Sequence, residues 1–195
     1  MKRILSALLV VMVIVMTSCT DNKASLSFEE VQWLARQEIS ANRLMLGDDW
    51  DMNDLPEVTW MVANAQQLYD RDNGQEIPTV DVSNSEFDVD KGVEIDVLIP
   101  AITKYYPFDN KMLRSHLEQS PVYDVQTGAV VLADGWGWHL DAVVHNVTDN
   151  QDGTYDIAYG LYNPQNEAEY TGVVKAQIHA DGHMQFVSNT VKSAS

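Results

Sequence analysis

The chain has 195 residues but a single cysteine, Cys19, so no disulfide can form within it. After that cysteine the sequence contains no G-x-S-x-G, no S-x-x-K and no glycine-rich phosphate loop, which are motifs of nucleophilic and nucleotide-binding enzymes. These absences argue against a disulfide scaffold, against serine or cysteine nucleophiles and against a bound nucleotide. The sequence predicts no cofactor.

Basic residues are scarce. The chain has 12 lysines and arginines against 29 aspartates and glutamates, which gives a formal charge of −17 at pH 7. Nucleic acid and anionic lipid repel such a surface, so we expect neither to be bound electrostatically. Cation binding stays open, although acidity more often serves solubility.

A long apolar run is also missing. Residues 4–16 are apolar but fall short of the ~18 residues that a membrane-spanning helix needs. The basic pair Lys2-Arg3 precedes this run, and the small pair Thr17-Ser18 separates it from Cys19. This three-part order is typical of a secretory signal peptide.

The tetrapeptide Met16-Thr17-Ser18-Cys19 resembles the lipobox of bacterial prolipoproteins, in which a small residue precedes a cysteine. The resemblance implies that residues 1–18 are a signal peptide and that Cys19 becomes a diacylated amino terminus. The chain would then be held on the cell membrane or outer envelope, facing outside the cytoplasm. The polar residues 20–25 are expected to act as a tether between lipid and domain.

Apolar residues recur at helical spacing after the tether. Ser27 and Glu30 stand in capping-box order and predict a helix over residues 28–46. Asp54 and Pro56 indicate the start of a second helix. Its predicted apolar face comprises Val58, Met61, Val62, Ala65 and Leu68.

Two shorter helices follow a predicted loop. Residues 70–91 are rich in polar and glycine residues and predict a long loop, with short strands near residues 77–82. Asp96 is predicted to cap a helix over residues 97–106, and Asp109 to cap another over residues 111–117.

After Pro121 the pattern becomes alternating, which predicts strands. They are expected near residues 122–125, 129–133, 136–147, 154–162, 170–179 and 183–191, and the short turns between them indicate antiparallel pairing. In the last hairpin a three-residue loop, Ala180-Asp181-Gly182, would pair His179 with His183. That register puts the apolar side chains on one face: Val174, Ala176, Ile178, Met184 and Phe186.

These elements predict one α+β domain over residues 26–195, helical over about 26–118 and a sheet over about 120–192. The helices are expected to pack on one face of a twisted antiparallel meander. From Asp96 onward this order resembles the cystatin-like and NTF2-like folds in outline. The resemblance concerns architecture alone and implies no function.

One predicted strand carries polar residues on a shared face. His139, Asp141 and His145 alternate with apolar residues, and Asp156 on the next strand joins them. This set would suit an NTF2-like enzyme with Asp141 or Asp156 as base and His139 as acid or orienting group. The solvent face of a half-buried sheet has the same alternation, and we favour that interpretation.

Two further segments offer metal ligands. His179 and His183 would bring two imidazoles side by side, which is half a zinc site. Asp70 and Asp72 lie in an oxygen-rich segment that suggests a calcium loop, yet Gly74 stands fifth instead of sixth and no glutamate stands twelfth. Exposed polar turns also explain both segments, and we favour that interpretation over a metal site.

We therefore expect a lipid-anchored, non-catalytic domain that binds a protein, a glycan or a small molecule. An NTF2-like enzyme and a calcium-stabilised surface domain are the alternatives. Apart from these ligands, the partner implied by the sequence is the membrane, reached through the lipid on Cys19.

Overall fold

The computed structural model describes residues 26–82, 90–132 and 140–194. The predicted signal peptide, Cys19, the tether and His139 lie outside these residues. The helices are α1 (Phe28–Ala41), α2 (Val58–Asn73), α3 (Ile95–Tyr105) and α4 (Asn110–Glu118). The strands are β1 (Val80–Asp81), β2 (Lys91–Glu94), β3 (Tyr123–Asp124), β4 (Ala129–Val131), β5 (Asp141–Asp149), β6 (Thr154–Tyr162), β7 (Ala168–Ile178) and β8 (Met184–Ser193).

The predicted α+β class is confirmed, but the strands form two antiparallel sheets and not a single meander. One sheet has the order β1-β2-β4-β3, and the main sheet has the order β5-β6-β7-β8. The sequence placed β3 and β4 in the meander. In the structure β4 pairs with β2 and β3 instead, and its three residues, Ala129, Val130 and Val131, are all buried.

Helix α1 begins as predicted and ends earlier. The Ser27 hydroxyl accepts from the Glu30 N–H, and the Glu30 carboxylate accepts from the Ser27 N–H, which completes the capping box. The helix ends at Ala41 because the Asn42 side-chain amide donates to the Glu38 carbonyl oxygen at 2.8 Å. A 3-10 turn, Arg43–Met45, follows.

Two other helix boundaries differ from the prediction. Helix α2 continues to Asn73, so the expected loop starts later, at the left-handed Gly74. Helix α3 is capped by Glu94, because β2 runs directly into it, and Asp96 lies in its first turn. There the helix dipole stabilises the negative charge of the Asp96 carboxylate, which also forms an ion pair with Arg114. Asp109 caps α4 as predicted, accepting from two backbone N–H groups.

The last hairpin has the predicted register. Ile178 pairs with Met184, and the His179 N–H donates to the His183 carbonyl oxygen at 2.9 Å. Gly182 has a φ of 88°, the left-handed conformation that the three-residue loop requires. The inward side chains of β6 to β8 join those of the helices in one core cluster, which includes Ile39, Met61, Leu98, Ile157, Tyr159, Val174, Met184 and Phe186.

Asn189 on β8 anchors the connection between α1 and α2 to the main sheet. It is 2% exposed, and its side-chain amide donates to the carbonyl oxygens of Leu46 at 3.3 Å and Asp48 at 2.8 Å. Its backbone exchanges two hydrogen bonds with Trp50. A polar loop is thereby held against a sheet edge, and Trp50 is buried.

The Tyr159 hydroxyl completes this cluster from β6, reaching across β7. It lies 2.7 Å from the Leu46 carbonyl oxygen and 2.8 Å from Asn189 Oδ1. Burial raises the pKa of Tyr159, so the hydroxyl stays a donor. Gly172 leaves room for it, because a Cβ there would lie 2.4 Å from the Tyr159 oxygen.

None of the helices in the described parts of the chain is long and apolar enough to cross a bilayer.

We predict that Tyr159→Phe lowers the free energy of unfolding by about 1–2 kcal/mol, because the Leu46 carbonyl oxygen and Asn189 Oδ1 share the single hydroxyl proton and only the former keeps another donor, the Asn189 amide. Urea unfolding of the soluble domain measures this. Tyr155→Phe on the same strand is the control and should change stability by less than about 0.5 kcal/mol. Equal losses in the two variants would contradict the role given to the Tyr159 hydroxyl.

Candidate functional site

An open groove of about 640 Å³ lies between α1, α2 and the tip of the β7–β8 hairpin. We call it the hairpin groove. Its main polar and aromatic lining comprises Trp33, Gln37, Glu38, Ser40, Arg43, Gln67, Arg71, Asp72, Tyr105, Asp181 and His183. Two residues predicted as metal ligands from distant parts of the sequence, Asp72 and His183, therefore line the same surface.

Arg71 organises the floor of the hairpin groove. Its guanidinium lies 3.2 Å from the Glu38 carboxylate and 3.0 Å from the Asp72 carboxylate, and it donates to the Tyr105 hydroxyl. The Tyr105 hydroxyl and the Lys104 ammonium both donate to the second oxygen of Asp72. One guanidinium thus joins α1, α2 and α3 through bonds that fit its rigid fork of donors.

These contacts move the pKa values of Asp72, Lys104 and Tyr105 further away from neutral pH. Burial raises the pKa of Asp72, but hydrogen bonds from Lys104, Tyr105 and Arg71 outweigh it, and the net pKa is lowered. The hydrogen bond to Asp72 raises the pKa of Lys104, and burial raises that of Tyr105. A general acid or base works best with a pKa near the working pH, so these groups suit structure better than proton transfer.

A buried polar cluster lies next to this floor. Asn42, Asn64 and Tyr106 are each at most 2% exposed. The Asn64 amide donates to Asn42 Oδ1 and to the Tyr106 hydroxyl, both at 3.2 Å. Asn42 also donates to the Glu38 carbonyl oxygen. This bond links the cluster to α1, which carries Glu38, the ion-pair partner of Arg71. Asn64 Oδ1 has no hydrogen-bond partner among the described residues.

The rim presents uncharged groups. Trp33 is 63% exposed although it lines the groove. Gln37 follows it one helical turn later on α1, and Gln67 faces the groove from α2. An exposed indole beside amide groups is a common composition of ligand-binding surfaces.

The hairpin histidines come together as predicted. The rings of His179 and His183 stack with centroids 4.5 Å apart and planes 5° apart. His183 Nδ1 lies 2.6 Å from Asp181 Oδ1, and His179 Nε2 lies 2.7 Å from Gln185 Oε1. Within residues 26–82, 90–132 and 140–194, no three His, Cys, Asp or Glu side chains are grouped to hold a metal ion.

The two predicted calcium ligands lie on a helix. Asp70 and Asp72 belong to the last turn of α2 and not to a loop. Asp70 Oδ1 accepts from the Ile77 N–H at 2.9 Å, and the oxygens of Asp72 accept from cationic and phenolic donors. Protein donors thus already bind the oxygens that a calcium ion would need.

The polar set on the main sheet does not converge. Asp141 and His145 are exposed, and a β-bulge falls at His145. Asp156 lies near the other end of β5, opposite Thr148, and pairs with Lys175 at 3.0 Å. The Asn150 hydrogen bond lowers the pKa of Asp156, followed by its contact with Lys175. Asp141 and Asp156 are therefore separated by much of the strand length.

The sequence did not reveal the Arg71 network. Glu38 and Tyr105 lie 33 and 34 residues from Arg71 along the chain, and no local motif connects them. For Trp33 the sequence does contain a signal, which the sequence analysis did not use. This residue falls on the helix face away from Val31, Ala35 and Ile39, where an apolar side chain has no place in the core.

We predict that Asp72→Asn lowers the free energy of unfolding at pH 7 by about 1 kcal/mol, a value reduced because Lys104 and Arg71 are partly exposed. The folded-state pKa of Asp72 is lowered, so its contribution is present above the unfolded pKa and is lost as pH falls below about 4.

Urea unfolding at several pH values tests this. The difference between wild type and Asp72→Asn should stay constant from about pH 5 to 7 and shrink below about 4. Asp141→Asn, at an exposed position, controls for the loss of one carboxylate. If the difference in unfolding free energy between wild type and Asp72→Asn grew as the pH fell, the predicted pH dependence would be contradicted.

Comparison of the chain with known protein families, with curated proteins and with solved structures found no match.

Proposed function

We propose that this chain is a lipid-anchored protein outside the cytoplasm whose domain is a non-catalytic binding module, with the hairpin groove as its binding site. One observation carries the binding role. The ionisable groups on the groove floor are paired with one another, and an exposed indole and two glutamine amides lie beside them, together with Arg43 and the Asp181–His183 pair. Such a surface can hold a ligand, and the paired groups of the floor have pKa values displaced away from neutrality, which suits binding better than proton transfer.

The anchoring part of the proposal depends on the leader. The basic pair, the apolar run and the tetrapeptide Met16-Thr17-Ser18-Cys19 resemble the leader of a prolipoprotein, and this resemblance supports the proposal. The six residues 20–25 span at most roughly 20 Å when fully extended. The domain would therefore stay close to the membrane surface.

The alternatives have less support. An NTF2-like enzyme would need His139 together with Asp141 or Asp156 in one covered pocket. Asp141 is exposed, and the Asp156 carboxylate forms an ion pair with Lys175. We retain an arrangement with helices on one face of the main sheet, in the outline of cystatin-like or NTF2-like folds, as a proposal about architecture. A calcium-stabilised domain would have to displace the protein donors that Asp70 and Asp72 already bind.

We expect the full chain, expressed in a bacterial host with an alkyne analogue of palmitate, to be labelled and to begin at Cys19. Cys19→Ala should lose the label and leave the detergent-soluble membrane fraction. Met16→Leu keeps the cysteine and should be processed like the wild type. Gel fluorescence and mass spectrometry of the mature amino terminus measure both results. An unlabelled wild-type chain would overturn the anchoring proposal.

A further inference from the structure

Deepening the proposed function, on which this inference rests, we propose that the hairpin groove binds a neutral oligosaccharide, with one sugar ring stacked on the indole of Trp33. The inference joins an aromatic face, a row of amides and a floor whose charges cancel. Each of these features bears on the chemistry of the ligand.

Trp33 has no role in the core. The buried face of α1 is formed by Val31, Ala35 and Ile39, and Trp33 lies on the other side with 63% of its surface exposed. Trp is enriched at binding surfaces because its large apolar ring carries a polar N–H. A flat indole face on a groove rim suits the apolar face of a sugar ring.

The polar groups along the groove match hydroxyl chemistry. Gln37 and Ser40 follow Trp33 on α1 at spacings of four and seven residues, a row of roughly 10 Å. Gln67 contributes from the opposite side of the groove. A glutamine amide has two donor hydrogens and an acceptor oxygen, and a serine hydroxyl has both functions; one Gln67 hydrogen is already directed at the Ala41 carbonyl oxygen at 3.4 Å. Sugar hydroxyls also donate and accept, so they can satisfy all these groups together.

Charge disfavours ionic ligands. The carboxylates of Glu38 and Asp72 are paired with Arg71, and the Asp181 carboxylate is bound to His183, so a cationic ligand would have to compete with these partners. An anionic ligand could reach Arg43 on the groove lining, whose guanidinium donates to the Ser40 carbonyl oxygen at 3.3 Å, but it would meet a chain with a formal charge of −17. A neutral ligand avoids both costs.

The floor is rigid enough to hold such a site in shape. Arg71 joins three helices, and the buried cluster of Asn42, Asn64 and Tyr106 fixes the adjacent ends of α1 and α3. A groove formed before the ligand arrives loses less conformational freedom on binding. This favours recognition of a weakly binding polyol.

The test is a titration of the soluble, 15N-labelled domain from Thr20 onward, followed by NMR, with cellotetraose, maltotetraose and chitotetraose up to roughly 100-fold molar excess over protein. We expect at least one tetrasaccharide to shift the Trp33 indole signal, identified by its absence in Trp33→Phe, and the side-chain amide signals of Gln37 and Gln67. Trp33→Ala should weaken that binding by about tenfold or more. Trp33→Phe should retain most of it.

Phe28→Ala is the matched control, because Phe28 is an exposed aromatic residue on the same helix outside the groove. It should bind the sugar as tightly as the wild type. The inference is overturned if none of the three tetrasaccharides shifts these signals, or if Trp33→Ala and Phe28→Ala have the same effect. Amide spectra of both variants establish that they are folded.

This outcome is independent of the anchoring test, since the titration uses a domain without Cys19. A labelled, membrane-bound chain whose domain ignores all three sugars would overturn the sugar assignment and leave the anchored binding module in place. Sugar binding by a chain that is never lipidated would do the reverse.

Discussion

The guanidinium of Arg71 is the contact on which the arrangement of the helices around the hairpin groove depends. It lies on α2 and reaches Glu38 on α1 and Tyr105 on α3, so a single side chain fixes three elements that are distant in sequence. Glu38 and Asp72 have side chains that are 13% and 18% exposed, which makes an uncompensated carboxylate there costly. The network therefore constrains helix positions more than it adds net stability.

A second set of polar contacts acts just beyond the carboxyl-terminal end of α1. Asn189 and Tyr159 bind the backbone of the segment after α1 through hydrogen bonds to Leu46 and Asp48. Asn189 and Tyr159 are buried, so their polar atoms have no water to replace a lost hydrogen bond and must be satisfied in one geometry. The Arg71 network is partly exposed and acts through directional bonds between three helices. Together the two sets of contacts hold the carboxyl-terminal half of α1 and the segment after it in place.

The accuracy of the sequence analysis follows the range of the interactions involved. The capping box of Ser27 and Glu30 and the register of the His179–His183 hairpin depend on neighbours within a few residues, and both were predicted correctly. The separate sheet formed by β1 to β4 was missed, because its pairing joins Gly92 with Val131 across a long stretch of chain. For the site, the histidine pair was found and the Arg71 network was not. Local chemistry was visible, whereas partners more than 30 residues apart were not.

The direction of α1 connects the proposed anchor with the proposed site. The helix begins at Phe28, soon after the tether, and rises about 1.5 Å per residue, so Trp33 lies roughly 8 Å from the helix start and Ala41 roughly 20 Å from it. The groove thus extends along α1 away from the end at which a lipid on Cys19 would hold the chain. A ligand that reaches Trp33 must approach close to that end, because the tether is short. A polymer near the membrane surface, such as an envelope glycan, meets that condition better than a ligand displayed far from it.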